Sequence, residues 1–309
     1  MGKKNKKKKD QSKQNNQGKL KRSKDLSPVA EVLTTTFDEI ESRSLGTSVA
    51  GIPVNFYDFD AMTQGLQRGS LIVLAGRPAM GKTSMSLNMA KNVAQLHDLP
   101  VCIFGLEMSK ECYTYRLLSM DIGIETGRLR TGRLSQDEWP ELGKGINELG
   151  QLPIFICDKP NITIKEMIAK CEKVKKENGT ELGLVLIDFV QLMDGPAYES
   201  RDEELSKVVI ALKEMARKLN VPVLVLSQLN RDLENRENKR PMLSDLRETQ
   251  SLETHADIVV MMYRDEYYEP ETEDRGITEL IICKHRNGPL GTVKMLFEPQ
   301  YTRFRNLAA

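Results

Sequence analysis

The chain has 309 residues, 39% of them hydrophobic and 29% charged, with a formal net charge of +1; this balance belongs to a globular protein and excludes a fibrous chain. No run reaches the ~18 consecutive apolar residues of a membrane span, and no apolar segment follows the lysine-rich start, so neither a spanning helix nor a secretory signal is expected. The cytoplasm is the expected compartment. Cys102, Cys112, Cys157, Cys171 and Cys283 are widely spaced, with no C-x-x-C pair, and only three histidines accompany them, which argues against a disulfide framework and a zinc centre.

The small net charge conceals an asymmetry. The first 24 residues hold eleven Lys or Arg against one Asp, and the remainder holds 34 basic against 43 acidic residues. Residues 1–26 are expected to form a disordered basic tail, because they contain too few apolar groups to offset the entropy of ordering. Such a tail is either a solvated leader or an arm on nucleic-acid phosphates. Next, "SPVAEVLTTTFDEIESRS" sets Val29, Val32, Leu33, Phe37 and Ile40 at three- and four-residue steps. This predicts an amphipathic helix within 27–44, with Ser27 as cap and Pro28 at the first helical position. Its apolar stripe must dock on its own domain or on a neighbouring subunit.

From residue 71 the apolar runs "LIVLA", "VCIFG", "PIFI", "LVLID" and "VPVLVLS" alternate with helical stretches over 82–96, 109–121, 136–149, 163–177 and 202–219. That alternation predicts an α/β fold: a mostly parallel, twisted sheet with helices on both faces. Past residue 256, "DIVVMMYRD", "TELIICKHR" and "GTVKMLFEP" have no long helices between them, which predicts antiparallel strands at the C-terminal end of the sheet.

"GRPAMGKT" matches G-x-x-x-x-G-K-[ST] between a predicted strand and a predicted helix. Gly76, Arg77, Pro78, Ala79, Met80, Gly81, Lys82, Thr83 and Ser84 form the expected phosphate loop, in which backbone N–H groups wrap the phosphates of ATP, Lys82 reaches the outer two and Thr83 holds Mg2+. Asp188, at the end of "LVLID", stands where a carboxylate holds the magnesium shell, though a strand-terminal Asp also serves as a helix cap. Glu107 in "FGLEM" ends another strand as a candidate base for the attacking water. Ser227 and Gln228 end a third, as a polar pair for a γ-phosphate. Three polar strand ends would converge on one edge of the sheet.

The segments "GRPAMGKT", "LEMS", "LRTGRLS", "IDFVQLM", "SQLNRDLENRENKRPMLSDLRE", "ADIVVMMYRDEYY" and "KHRNGPLGTVKMLFE" together resemble the motor domain of DnaB-type replicative helicases, hexameric RecA-like ring ATPases. The resemblance covers roughly residues 45–305 in order. It implies a RecA-like P-loop ATPase core over 45–309, a linker helix over 27–44 that docks on the adjacent motor domain, and an ATP hydrolase that unwinds duplex DNA while moving 5′ to 3′ on single-stranded DNA.

Carried over residue by residue, Lys82 and Thr83 resemble the nucleotide and magnesium ligands, Glu107 the catalytic base, Asp188 the second-shell magnesium carboxylate and Gln228 the γ-phosphate sensor. Lys284 and Arg286 in "KHRNG" match cations supplied to the next subunit's pocket, Arg286 as the arginine finger, whereas the residues alone read equally as a solvated strand edge. Arg247, Glu248 and Gln250 match the segment that lines the ring's DNA channel, with Arg231, Arg236, Lys239 and Arg240 as nearby positive charge. Two channel positions depart from the family: Gln250 stands where Gly is usual and His255 where Asp is usual. The family's N-terminal helical collar has no counterpart in this sequence, so contact with primase or a helicase loader is left open. Two alternatives accompany the helicase reading: a DnaB-like ATP-binding subunit that regulates another helicase without unwinding, and a RecA-group recombination ATPase.

Overall fold

A computed structural model of the chain describes residues 26–47, 49–193 and 201–307. It divides into two units, Met1–Val49 and Ala50–Ala309. The basic tail expected over 1–26 lies, but for its last residue, outside the described residues.

In the first unit, α1 (Val29–Ser44) has Glu31 in its first turn and Arg43 in its last, each complementing the helix dipole. None of its residues is buried, and Val29, Val32, Leu33, Phe37 and Ile40 are all exposed. Pro28, rather than the expected Ser27, is the cap residue: its backbone is extended and its carbonyl accepts from Glu31 N at 3.0 Å.

The second unit runs α2 (Tyr57–Thr63), β1 (Leu71–Gly76), α3 (Lys82–His97), β2 (Val101–Gly105), α4 (Lys110–Ile122), α5 (Thr126–Thr131), α6 (Glu138–Gln151), β3 (Ile154–Cys157), α7 (Ile164–Asn178) and β4 (Leu184–Asp188). It continues through α8 (Arg201–Leu219), β5 (Val223–Gln228), α9 (Gln250–His255), β6 (Ile258–Tyr263), β7 (Ile277–His285), β8 (Gly291–Glu298) and β9 (Arg303–Asn306). The strands form one nine-stranded sheet in the order β3-β2-β4-β5-β1-β6-β7-β8-β9.

Pairing is parallel from β3 through β6 and antiparallel from β6 through β9. The "DIVVMMY" run, grouped above with the antiparallel end, therefore begins that end but itself pairs parallel with β1. The crossover that allows this carries a 3₁₀ stretch, Leu243–Thr249, and the short α9 in place of a long helix. Strand β9 and helices α2, α5 and α9 were not anticipated, being four to seven residues long.

Both faces of the central strands are covered. On β1, Ile72 and Leu74 join a core with Met85, Met89 and Tyr113, while Leu71, Val73 and Ala75 join a second core with Val209, Leu212 and Leu252. This double burial explains the unbroken apolar runs, since a strand with one wet face alternates. Helix α7 starts at a capping box in which Thr163 and Glu166 satisfy each other's backbone N–H, with Glu166 N donating to Thr163 Oγ1 at 3.3 Å. No helix of the described residues is long and apolar enough to cross a membrane.

Candidate functional site

Strand register assembles the site. β1 pairs Gly76 with Gln228 of β5, and β2 pairs Gly105 with Asp188 of β4, so the carboxyl ends of four neighbouring strands finish along one edge. Between β1 and α3 the chain turns through Ala79 (φ 63°) and Gly81 (φ 93°). The backbone angle at Gly81 favours glycine, and a Cβ there would sit tightly, 3.2 Å from the rings of both Phe297 and Phe304. No side chain caps the start of the 16-residue α3, leaving its first N–H groups and the positive end of its dipole at the loop.

A cleft of about 680 Å³ opens over this loop, within the usual range for a small-molecule site. Pro78, Ala79, Gly81, Lys82, Thr83 and Ser84 line it together with Glu107, Asp188 and Gln228. Lys82 Nζ donates to the carbonyls of Gly76 at 2.9 Å and Arg77 at 3.0 Å. Burial lowers its pKa to about 8, against the pull of Asp188 and Glu107 in the opposite direction. Thr83 Oγ1 donates to Asp188 Oδ2 at 3.0 Å. Burial raises the Asp188 carboxyl, opposed by the hydrogen bonds it accepts from Thr83 and Tyr113. The exposed Glu107 carboxylate and the Gln228 side-chain amide make no hydrogen bond to a described residue.

Several expected members fall elsewhere. Gly76, Arg77 and Met80 do not line the cleft. The Arg77 guanidinium turns behind the loop, donating to Leu229 O at 2.8 Å and to Glu234 Oε1 at 2.8 Å, which anchors the loop to the chain after β5. Met80 is packed in the core at 1% exposure. Ser227 is also fully buried, its hydroxyl accepting from Gln191 Nε2 at 3.0 Å, so of the polar pair only Gln228 faces the cleft.

Lys284 and Arg286 stand away from this chain's own cleft. Lys284 Nζ donates to the carbonyls of Glu253 and Thr254, and Arg286 donates to Thr254 O at 3.1 Å and sits 3.5 Å from Asp257 Oδ1. Both cations thus rest on the carbonyls at the end of α9, where the helix dipole favours positive charge.

Arg247 and Glu248 belong to the 3₁₀ stretch and Gln250 opens α9; their side chains lie outside the described residues. Of the neighbouring basic run, Arg236 and Arg240 are ion-paired within the fold, so these two offer less free positive potential than expected. Arg240 donates twice to Glu279, at 2.9 and 2.8 Å, Arg236 pairs with Asp245 at 2.8 Å, and Lys239 lies over the Tyr268 ring.

Sequence reasoning missed two cleft cations. Arg116 of α4 lines the cleft, and its guanidinium has no ion pair or hydrogen bond among the described residues. It lies one helical turn beyond Tyr113, a spacing that would have flagged it once Tyr113 was known to be buried. Arg264, just after β6, also lines the cleft, paired with Glu266; it donates to Ala79 O at 3.1 Å and lies over the Phe297 ring at 4.9 Å.

A parallel sheet with a phosphate loop between its central strand and the following helix, extended by an antiparallel meander, is the RecA-like P-loop fold. Residues 51–306 match the DnaB-like helicase C terminal domain model. The chain is 45% identical over 282 residues to the replicative DNA helicase DnaC of Bacillus subtilis (strain 168), covering 90% of this chain and 62% of that protein. To the replicative DNA helicase DnaB of Geobacillus stearothermophilus it is 43% identical, again over 90% of this chain and 62% of the relative. Among solved structures, an ATPase domain superposes with a TM-score of 0.87 at 39% identity, covering 92% of this chain and all of that one. A DnaB-like replicative helicase, described with its interactions with primase, gives 0.84 at 38% identity, covering 92% of this chain and 68% of that one. The chain belongs to the DnaB-like helicase C-terminal domain family, and it spans about three fifths of the length of these two curated relatives.

Proposed function

We propose that this chain is the motor of a replicative helicase: it binds and hydrolyses ATP with magnesium in the cleft, assembles with further copies into a ring, and moves along single-stranded DNA to open the duplex. The observation that carries the reading is the division of the charged groups. Lys82, Thr83, Asp188, Glu107 and Gln228 meet in one cleft, while Lys284 and Arg286, at the end of β7, stay outside it against the carbonyls of α9. A site with base and ligands but without its trans cations is what a subunit seam would complete.

In this reading Lys82 holds the outer phosphates, Gln228 senses the terminal one, and Glu107 takes the proton of the attacking water. Arg264, Phe297 and Gln300 form the wall against which the nucleoside lies. The Thr83 hydroxyl and Asp188 carboxylate are hard oxygen donors suited to magnesium. Among the described residues no group of three or more His, Cys, Asp or Glu would hold a metal by protein alone, so the remaining ligands would be phosphate oxygens and water. Magnesium supplies neutralisation of phosphate charge in the cleft. The exposed apolar side chains of α1 support docking on a neighbouring copy, with residues 27–44 as linker and 45–309 as motor. Arg247, Glu248 and Gln250 would track the DNA backbone in the cytoplasm, and a primase or loader would act on the assembled ring.

Unwinding of a forked duplex by the purified chain, with its assembly mass measured in ATP, tests the whole proposal. We expect strand separation by a ring-sized assembly and none with Lys82→Ala. ATP binding without unwinding would favour the regulatory subunit, and filaments on DNA would favour the recombination ATPase.

The lowered Lys82 pKa gives a further expectation. Bound phosphates favour the charged ammonium, which the free site already carries below pH 8 and loses above it. Nucleotide affinity should therefore be flat below pH 8 and fall up to about tenfold per unit above it, as binding begins to require proton uptake. Titration of a fluorescent ADP from pH 7 to 10 would refute this if affinity stayed level throughout.

A further inference from the structure

Tyr113 has no part in the reading above, yet it is the side chain that reaches the cleft's magnesium carboxylate from inside the protein. It lies on α4 at 0% exposure, and its hydroxyl donates to Asp188 Oδ2 at 3.0 Å. Thr83 Oγ1 donates to the same oxygen, also at 3.0 Å, while Oδ1 accepts no hydrogen bond from a described residue. Asp188 is 2% exposed, so water has little access to compete for Oδ2. The end of β2 is shaped around the ring: a Cβ at Gly105 would come within 2.2 Å of Tyr113 Cε2. Gly105 and Asp188 are register partners, so the strand pair that presents the carboxylate also leaves the gap the ring fills.

Packing alone does not account for this residue. A phenylalanine would fill the space beside Met120 and Leu117 equally well, and a buried hydroxyl costs free energy unless it is hydrogen-bonded. The Tyr113 hydroxyl commits its proton to the oxygen that also receives the Thr83 proton. With its own proton directed to Asp188, the Thr83 oxygen keeps its lone pairs for a cation.

We propose that Tyr113 is a positioning residue for magnesium: by holding Asp188 Oδ2 it keeps the carboxylate turned to accept the Thr83 proton, which would leave the Thr83 Oγ1 lone pairs for the metal and Asp188 Oδ1 for its bound water. The inference rests on the cleft being a magnesium–nucleotide site. It makes the chain of contacts Tyr113, Asp188, Thr83 a single unit, so loss of the hydroxyl acts on the metal rather than on the nucleotide.

The test is Tyr113→Phe, which keeps the ring and removes the hydroxyl, with affinity for a fluorescent ADP measured in EDTA and across a magnesium titration. We expect metal-free affinity within about twofold of wild type and a gain in affinity from magnesium about tenfold smaller, the size of a lost hydrogen bond to a charged group. Leu117→Ala, on the same helix, loosens the packing without touching the hydroxyl; it should lower the melting temperature and leave the magnesium gain intact. An unchanged magnesium gain in Tyr113→Phe, or an equal loss in Leu117→Ala, overturns the positioning role. A wild-type protein that binds ADP with no gain from magnesium overturns the reading of the cleft itself, and the role falls with it.

Discussion

Alanine at Arg286 is expected to lower ATP turnover of the assembled protein about a thousandfold or more, the loss associated with an arginine finger, while nucleotide affinity changes little. The side chain is half exposed and, among the described residues, is held by carbonyls at the end of α9 and by Asp257, so its removal should open no cavity and leave its own cleft intact. The defect should therefore appear in the neighbour. Arg286→Ala and Lys82→Ala, each inactive alone, should regain turnover when mixed, because a Lys82→Ala subunit still offers its guanidinium to the intact loop of an Arg286→Ala subunit. Steady-state hydrolysis across a range of mixing ratios checks this. Full activity of Arg286→Ala alone, or no recovery in the mixture, would exclude a shared site.

Glu107→Gln is expected to reduce turnover by about a hundredfold to ten-thousandfold, the usual contribution of a general base, with ADP affinity retained. Glutamine preserves the shape of the side chain and removes its basicity. Because the Glu107 carboxylate has no hydrogen-bond partner among the described residues, the change breaks no structural contact and the melting temperature should hold. Single-turnover hydrolysis separates the two effects. A rate within tenfold of wild type would remove Glu107 from the chemistry and direct attention to another group in the cleft.

These expectations draw on parts of the molecule that were unequally legible beforehand. The strands "LIVLA" and "LVLID" were visible because burial on both faces leaves an unbroken apolar run, and the loop from Gly76 to Ser84 because its spacing is dictated by phosphate geometry. Strand β9 was not visible: "RFRN" carries one buried residue, Phe304, and becomes a strand only by pairing with β8. Arg236 and Arg240 read as unpaired charge in the sequence, since only the fold brings Arg236 to Asp245 and Arg240 to Glu279. Tyr113 looked like an ordinary helical aromatic until the fold brought it beneath Asp188.

What the sequence determined by itself was therefore the strongly periodic and the motif-bound parts: the alternation of long helices with buried strands, the phosphate loop, and the polar residues at the strand ends that meet once the strands lie parallel. The tertiary structure alone decided which charges are committed. Arg77 is bound to a glutamate 157 positions away, whereas Arg116 is left facing the cleft. The reason is physical: hydrogen bonds and ion pairs depend on separations of a few ångströms, and only the closed fold determines which distant residues come that near.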